Sequence, residues 1–494
     1  MRSEQQEKLM HFLRDVDEQI AYRPICAAVN EELRAHVEDK AEVYMEYGVE
    51  EDEAYDKAIR DMGDASAIGI QMNEAHHLRT AKPLLFSLLA LLALGLAGSF
   101  VIQGVSVWEV KQNLYFLWGL AVLMLTAWYG YPLLLKHAGG LLLLLSGGTG
   151  LFVILCLAVR CFPGWKIPAV LRRLLFSPSL SFGMMQIAVL AGVVLLYRKR
   201  RQGLKSLLWI SVVQLVLVFF LTYSYWWGLA DSSFVTVLCT CLGIELYMIE
   251  KEYLKADKKK SFAAAIGSFL GILMIWGGFQ GERLSGELTL FINPKAQADT
   301  AWEDGYNNVL IQELLGRAEA FGEIRLSQEE RIRYGTARWY YEDGPGVWKG
   351  NSGGAWETLE RHVEYRMQFM DDPQLGDILP QHYYNNYRIA WWILRYGWIP
   401  GMLLTALPAA AYGLLFLTAL RIRNRLGRLV ALAGSIAIGI QFLFYLLGNF
   451  GYQFGMFGNL PFVSEGFISI TGSALMAGLT LSAYRFDTVV AETL

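Results

Sequence analysis

Three stretches carry the side chains that could do chemistry. "ILPQHYYNNYRIAWWILRYGW", Ile378–Trp398, sets the paired amides Asn385 and Asn386 against an apolar run that continues past residue 415. Polar groups at the mouth of a membrane helix are costly unless they have partners or a task. "GNLPFVSEGF", 458–467, holds Pro461 and Phe462, which can shape the start of the following helix, then Ser464 and Glu465. "RLSGELTLFINPKAQADTAWEDGY", 283–306, offers Arg283, Glu303, Asp304 and Tyr306. An arginine at a membrane mouth suits headgroup snorkelling and an anionic lipid ligand equally. His362 and His382 have Glu360 and Asp377 as acidic neighbours, although scattered loop histidines are more often surface residues than metal ligands. The apolar segments carry almost no ionisable groups beyond Asp231 and Glu245, and Asp231 reads as a cap for the helix that follows.

The elements that must position these groups are membrane helices. The chain has 494 residues, 54% hydrophobic and 18% charged, and its mean hydropathy is +0.31. That is too apolar for an ordinary soluble protein, and a net charge of −3 exerts no pull toward nucleic acid. The five cysteines show neither metal nor disulfide spacing and read as free thiols. Spanning runs are expected near 84–103, 114–135, 139–159, 180–197, 206–223, 232–249, 262–279, 389–419, 428–449 and 465–484, about ten helices.

The first 80 residues are highly charged, so no secretory signal opens the chain and the N-terminus is expected in the cytoplasm. The loops "KHAGG", "RKRRQGLK", "EKEYLKADKKK" and "RIRNRLGR" then fall on the cytoplasmic side, where basic clusters belong. "RCFPGWKIPAVLRR" is the poor fit, an exoplasmic loop that suits an interfacial helix. An even number of spans returns the C-terminus to the cytoplasm. Residues 1–80 form a small helical bundle, in which Leu33, Val37, Ala41, Tyr44 and Met45 make an amphipathic face stopped by Gly48. A second helix carries acidic residues in its first turn and ends at Gly63. One long exoplasmic segment, 280–388, is too polar to span, and its "WYYEDGPGVWKGNSGGAW" reads as irregular and turn-rich.

Taken together, the three stretches resemble the shape, elongation, division and sporulation (SEDS) family of bacterial membrane proteins, which includes RodA, FtsW and SpoVE. "LPFVSEGF" is similar to the family's LPF-(I/V)-S-aromatic-Gly-Gly element. "RLSGELTLFINP…EDGY" resembles the opening of its large fourth exoplasmic loop. Ile378–Trp398 resembles the approach to its eighth helix. Weaker similarities lie near 165–182 and around Asp231. The resemblance covers about residues 84–490 and implies an all-α polytopic membrane protein, with the SEDS-like domain at 83–490 and its large loop before helix eight. Residues 1–80 separately resemble the helical prefix of Gram-positive permease-like proteins, which implies a cytosolic docking or regulatory domain.

The family resemblance implies peptidoglycan glycosyltransferase chemistry. A lipid-linked disaccharide, lipid II or a related undecaprenyl-linked lipid, is polymerised at the outer face of the bacterial plasma membrane, in partnership with a class B penicillin-binding transpeptidase. No cofactor is expected, although the family leaves room for a divalent cation. Such a reaction needs a carboxylate to deprotonate the attacking hydroxyl and donors to hold the pyrophosphate leaving group. Resemblance places Arg283, Asp304, Tyr306, Pro461 and Ser464 among substrate-binding positions and Asn386 at the essential aspartate. An amide cannot act as the base. Leu180 and Gly183 stand where the family carries Glu and Lys, Glu465-Gly466-Phe467 replaces aromatic-Gly-Gly, and residues 325–375 are additional.

A degenerate SEDS relative acting in wall synthesis during division, shape control or sporulation is therefore expected. One alternative is an active polymerase using Glu303, Asp304 or Glu465 as base, between which spacing does not choose. A transporter of lipid-linked substrate is the other, against which stands the scarcity of ionisable groups in the spans.

Overall fold

The computed structural model describes residues 3–103, 107–161, 178–207, 211, 231–297, 304–334, 338–343, 346–349, 364–368, 373–380, 383–455 and 458–489. The chain divides into two compact units: Met1–Ala81 with Ile422–Gly427 and Ala483–Leu494, and Lys82–Arg421 with Arg428–Ser482.

In the first unit, α1 (Ser3–Gln19), α2 (Cys26–Glu46), α3 (Glu51–Met62) and α4 (Ala65–Ala75) surround a core of Leu13, Val16, Val29, Leu33, Val37, Ala41 and Ala54. The expected stripe of α2 is the buried one, with Tyr44 and Met45 packed at its margin. Gly48 and Gly63 follow α2 and α3 in the positive-φ conformation that ends helices, at φ +84° and +92°. Asp64 caps α4 by accepting from the Ala67 N–H at 2.9 Å. This unit also holds a buried carboxylate clamp. Asp487 accepts from the backbone N–H groups of Arg423 and Asn424 at 2.6 and 2.7 Å and from the Arg79 guanidinium at 3.1 Å.

The second unit contains α5 (Lys82–Gln103), α6 (Val107–Cys161), α7 (Pro178–Arg198), α8 (Asp231–Glu250), α9 (Lys258–Ile292), α10 (Asp304–Arg317), α11 (Gln328–Tyr334), α12 (Leu375–Ile378), α13 (Tyr383–Asn386), α14 (Arg388–Tyr396) and α15 (Trp398–Arg421). Most of α16 (Arg425–Asn449) and α17 (Phe467–Arg485) follow. Among the described residues, six helices are long and apolar enough to cross a membrane: Lys82–Ile102, Asn113–Leu144, Ser232–Glu250, Lys258–Gly278, Trp398–Arg421 and Arg425–Asn449. The architecture is that of an all-α polytopic membrane protein.

Three expectations need correction. Spans expected at 114–135 and 139–159 are one continuous helix, α6, which runs through Pro132 and the Gly139–Gly140 pair without a break. The span expected at 389–419 is two helices, α14 and α15, separated at Gly397. Residues 338–343, 346–349 and 364–368 form β1, β2 and β3, an antiparallel sheet of order β2-β1-β3 with Tyr341 opposite Trp348 and Tyr365. The sheet stands where irregular, turn-rich chain was expected. The run 206–223 and the loop "RCFPGWKIPAVLRR" lie largely outside the described residues.

Gly397 explains the break between α14 and α15. Its φ is +93°, and a Cβ there would meet the Phe321 Cα at 2.5 Å. The large loop crosses at this point: Gly322 and Ile324 donate to the carbonyls of Tyr396 and Leu394, while Trp398 and Ile399 donate to Glu319 and Ala320, at 2.8 to 3.0 Å. Glycine admits the passing backbone, and the loop in turn satisfies amides and carbonyls released by the break.

Candidate functional site

The site is built where α13 and α14 meet α5, α16 and the 459–466 loop. Asn385 is its hub. Its carbonyl accepts from the Tyr445 hydroxyl at 2.6 Å and from the Ser464 hydroxyl at 2.9 Å, and its side-chain oxygen accepts from the Glu465 N–H at 2.8 Å. Neighbouring Asn386 takes part through its carbonyl, which accepts from the Asn449 carboxamide at 2.9 Å. The Asn386 side chain is half-buried at the rim and has no hydrogen-bond partner among the described residues. Asn449 also binds the Ala390 N–H at 3.0 Å, so one side chain of α16 caps the start of α14.

Arg388 is fully buried, the largest fully buried side chain among the described residues. Its Nε donates to the Tyr384 carbonyl at 2.9 Å, Nη1 to the carbonyls of Gly95 and Val463, and Nη2 to the Ser99 hydroxyl at 3.1 Å. The Glu465 carboxylate, 4% exposed, lies 3.9 Å from Nη2. An isolated buried cation would be prohibitively costly, and this fork of donors is satisfied from three elements.

The "LPFVS" loop is held by the same network. Phe462 is buried with φ +64°, a conformation that costs a non-glycine residue about 1–3 kcal/mol. The residues on either side are pinned: Tyr412 donates to the Pro461 carbonyl at 2.6 Å, Arg388 to Val463, and the Leu460 N–H to the Ser464 hydroxyl at 3.0 Å. Gly95 of α5 makes the close approach possible, since a Cβ there would come within 2.9 Å of the carbonyls of both Val463 and Phe462.

Asn386, Pro461 and Ser464 therefore meet in one network, although the sequence separates them by about 75 residues. Arg283 lies in α9 just beyond its kink, and Asp304 and Tyr306 lie in the first turn of α10; these three side chains, with Glu303, His362 and His382, are outside the described residues. Asp231 is the first residue of α8, and its side chain is likewise not described. Sequence reasoning noted Asn385 as one of the paired amides without giving it a role, and passed over Arg388, Tyr445, Asn449 and Ser99. Of the residues passed over, Arg388 had a visible signal, a guanidinium one residue before a run expected to span.

Chemically, the described network holds and orients but offers no exposed base. Glu465 is buried against the guanidinium, and Asn386 presents an amide at the rim. Burial, with the nearby Asp377 carboxylate, pushes the half-buried Tyr383 phenol up from its ordinary value, so it is a hydrogen-bond donor at neutral pH. Among the described residues no group of three or more His, Cys, Asp or Glu is arranged to hold a metal ion.

No family profile matches the sequence, and no curated protein matches it. Solved structures do. One is a chain of a peptidoglycan synthase complex, solved to show how that complex structurally coordinates polymerization and crosslinking; it is 15% identical, with a TM-score of 0.50, covering 83% of this chain and 99% of that one. The chain has that fold. A second similarity, to a point mutant of the rod shape determining protein RodA of Thermus thermophilus, has 14% identity and a TM-score of 0.40 over 83% of this chain and 98% of that one. With 99% of the synthase chain accounted for, the shared fold takes in the whole of that subunit.

Proposed function

We propose that the chain is a SEDS-type integral membrane protein of the bacterial plasma membrane that acts in peptidoglycan synthesis, engages lipid II or a related undecaprenyl-linked lipid, and has lost the usual catalysis. The observation that carries the reading is the fold shared along the full length of a peptidoglycan synthase subunit. Supporting it, the two stretches that most resemble SEDS elements, 378–398 and 458–467, meet in the Asn385–Arg388–Ser464 network.

Loss of the usual catalysis is supported by the position of the carboxylates. Asn386 stands at the rim where resemblance puts the family's aspartate, and an amide has no basic lone pair to take a proton from a sugar hydroxyl. Glu465, the described carboxylate in the network, is enclosed beside Arg388. A class B penicillin-binding transpeptidase is the partner this reading implies, since polymerization and crosslinking are coordinated in the matched complex. Residues 1–80 would serve as its cytosolic docking or regulatory domain, with both termini in the cytoplasm.

The test is chain formation from labelled lipid II by the purified protein, alone and with its transpeptidase. An inert wild type and a gain of polymer with Asn386→Asp support the reading. Polymer made by the wild type and abolished by Glu303→Gln, Asp304→Asn or Glu465→Gln would overturn it in favour of an active polymerase.

A further inference from the structure

Helix α9 has 35 residues, more than a membrane span requires. Its spanning part, Lys258–Gly278, presents Leu270 and Met274 uncovered by protein, at 50% and 73% exposure. Three residues later the helix breaks at Gly281, whose φ is +49°, and then continues to Ile292. Eleven residues of helix thus follow the break, beginning within one turn of the end of the span.

This extension has two unlike faces. One is fixed to protein. Leu290 is buried, Phe291 packs edge-on against Phe454 at 5.7 Å, and the Glu287 carboxylate accepts from the Gly455 N–H at 3.1 Å. The other face consists of Gly281, Leu284, Ser285, Leu288, Thr289 and Ile292, spaced three and four apart, and it lines an open groove of about 490 Å3. Leu288 is 41% and Ile292 74% exposed. The Thr289 hydroxyl on this face is answered within the helix, donating to the Ser285 carbonyl at 2.8 Å. An apolar stripe whose threonine hydroxyl is internally satisfied suits a hydrocarbon environment.

We propose that residues 282–292 form an in-plane interfacial helix whose Leu284–Leu288–Ile292 face docks into the headgroup–acyl boundary of the bilayer. Two observations select lipid as the occupant. The face is continuous with a span whose own outer side is uncovered, so the stripe begins at membrane depth and the break at Gly281 frees it to turn along the surface. Beyond the stripe, the exposed Lys295 stands where an ammonium can reach lipid phosphates. The clasp at Gly455 makes the extension a lipid-seated support for the 450–455 loop, whose Gln453 binds the hydroxyl of Tyr387 beside the site at 3.3 Å. The docking is independent of any reaction at the site.

Site-directed spin labelling of the full chain tests it. With the five native cysteines replaced, single cysteines at Leu284, Leu288 and Ile292 are labelled in nanodiscs of phosphatidylethanolamine and phosphatidylglycerol. Met274 in the span, buried Leu290 and exposed Arg325 are the references, and all labelled proteins are first required to match the parent in thermal stability. The expected result is a ratio of oxygen to nickel-chelate collision rates several-fold above that at Arg325 and below that at Met274, which places the face at the boundary. Ready access to the nickel chelate, as at Arg325, would overturn the proposal. So would protection from both reagents, as at Leu290, which would mean that a protein partner or a second copy covers the groove.

Discussion

The Arg388 guanidinium and the Glu465 carboxylate face each other at 3.9 Å, both almost fully withdrawn from solvent. The pair is the electrostatic centre of the site, but the stronger anchors of the arginine are neutral: two carbonyls of distant elements, one carbonyl of the preceding turn, and a serine hydroxyl. Arg388→Met removes donors from all of them and strands Glu465. It is expected to destabilise the second unit by roughly 3–5 kcal/mol. Glu465→Gln keeps the donors occupied and should cost about 1 kcal/mol. Thermal unfolding in detergent compares the two; equal losses would mean that the ion pair, and not the carbonyl contacts, anchors the arginine.

The paired asparagines should behave differently although they are adjacent. Asn385→Ala deletes the acceptor of the Glu465 N–H and is expected to cost about 1–2 kcal/mol. Asn386→Ala leaves its backbone carbonyl in place and should change stability by less than about 0.5 kcal/mol. The same unfolding measurement decides; a large loss for Asn386→Ala would mean that its side chain is structural.

Gly397→Ala forces a Cβ onto the Phe321 backbone in a left-handed conformation. A loss of about 2 kcal/mol or more is expected. Hydrogen exchange should locate it, with faster exchange at Gly322, Ile324, Trp398 and Ile399, whose amides bridge the crossing. Unchanged protection at those four amides would refute the crossing.

In the first unit, Asp487 is shielded and bound by Arg79, Arg423 and Asn424. Because Arg79 is partly exposed, the loss expected from Asp487→Ala is on the order of 2–3 kcal/mol. Limited proteolysis of the full chain should then cut sooner near residues 422–427 and 483–489. An unchanged digestion pattern would show that the clamp adds nothing.

The loop helix α11 opens with a capping box, Ser327 N–H to Glu330 and Glu330 N–H to the Ser327 hydroxyl, and Arg317 also binds Glu330. The Ser327 N–H first, and then Arg317, hold the Glu330 carboxyl below its ordinary value. A folded value below the unfolded one means that the carboxylate stabilises α11 above the ordinary glutamate range. That contribution is lost as pH falls through the depressed folded value. Carboxyl NMR should find Glu330 titrating below the ordinary glutamate value, with the difference narrowed in Arg317→Gln; titration at the ordinary value would contradict the box.

Much of the molecule can be read from one sequence because the signals are local. Hydropathy summed over about 20 residues finds a membrane helix, and apolar residues three and four apart find the buried stripe of α2. Two short stretches, 378–398 and 458–467, stood out by polar residues set against apolar runs, and the structure brings them together. Local signals fail where the deciding partner is remote. The division between α14 and α15 is set by a loop crossing about 75 residues upstream, and α6 runs on through Pro132, Gly139 and Gly140, which read locally as helix stops.

By itself, then, the sequence determined an all-α membrane chain and a large polar loop. Only the tertiary structure decided that Arg388 is the anchor of the site and that Asn385, not Asn386, is its hub. The reason is physical. A buried guanidinium is tolerated only when several acceptors converge on it, and those acceptors lie up to 293 residues away along the chain.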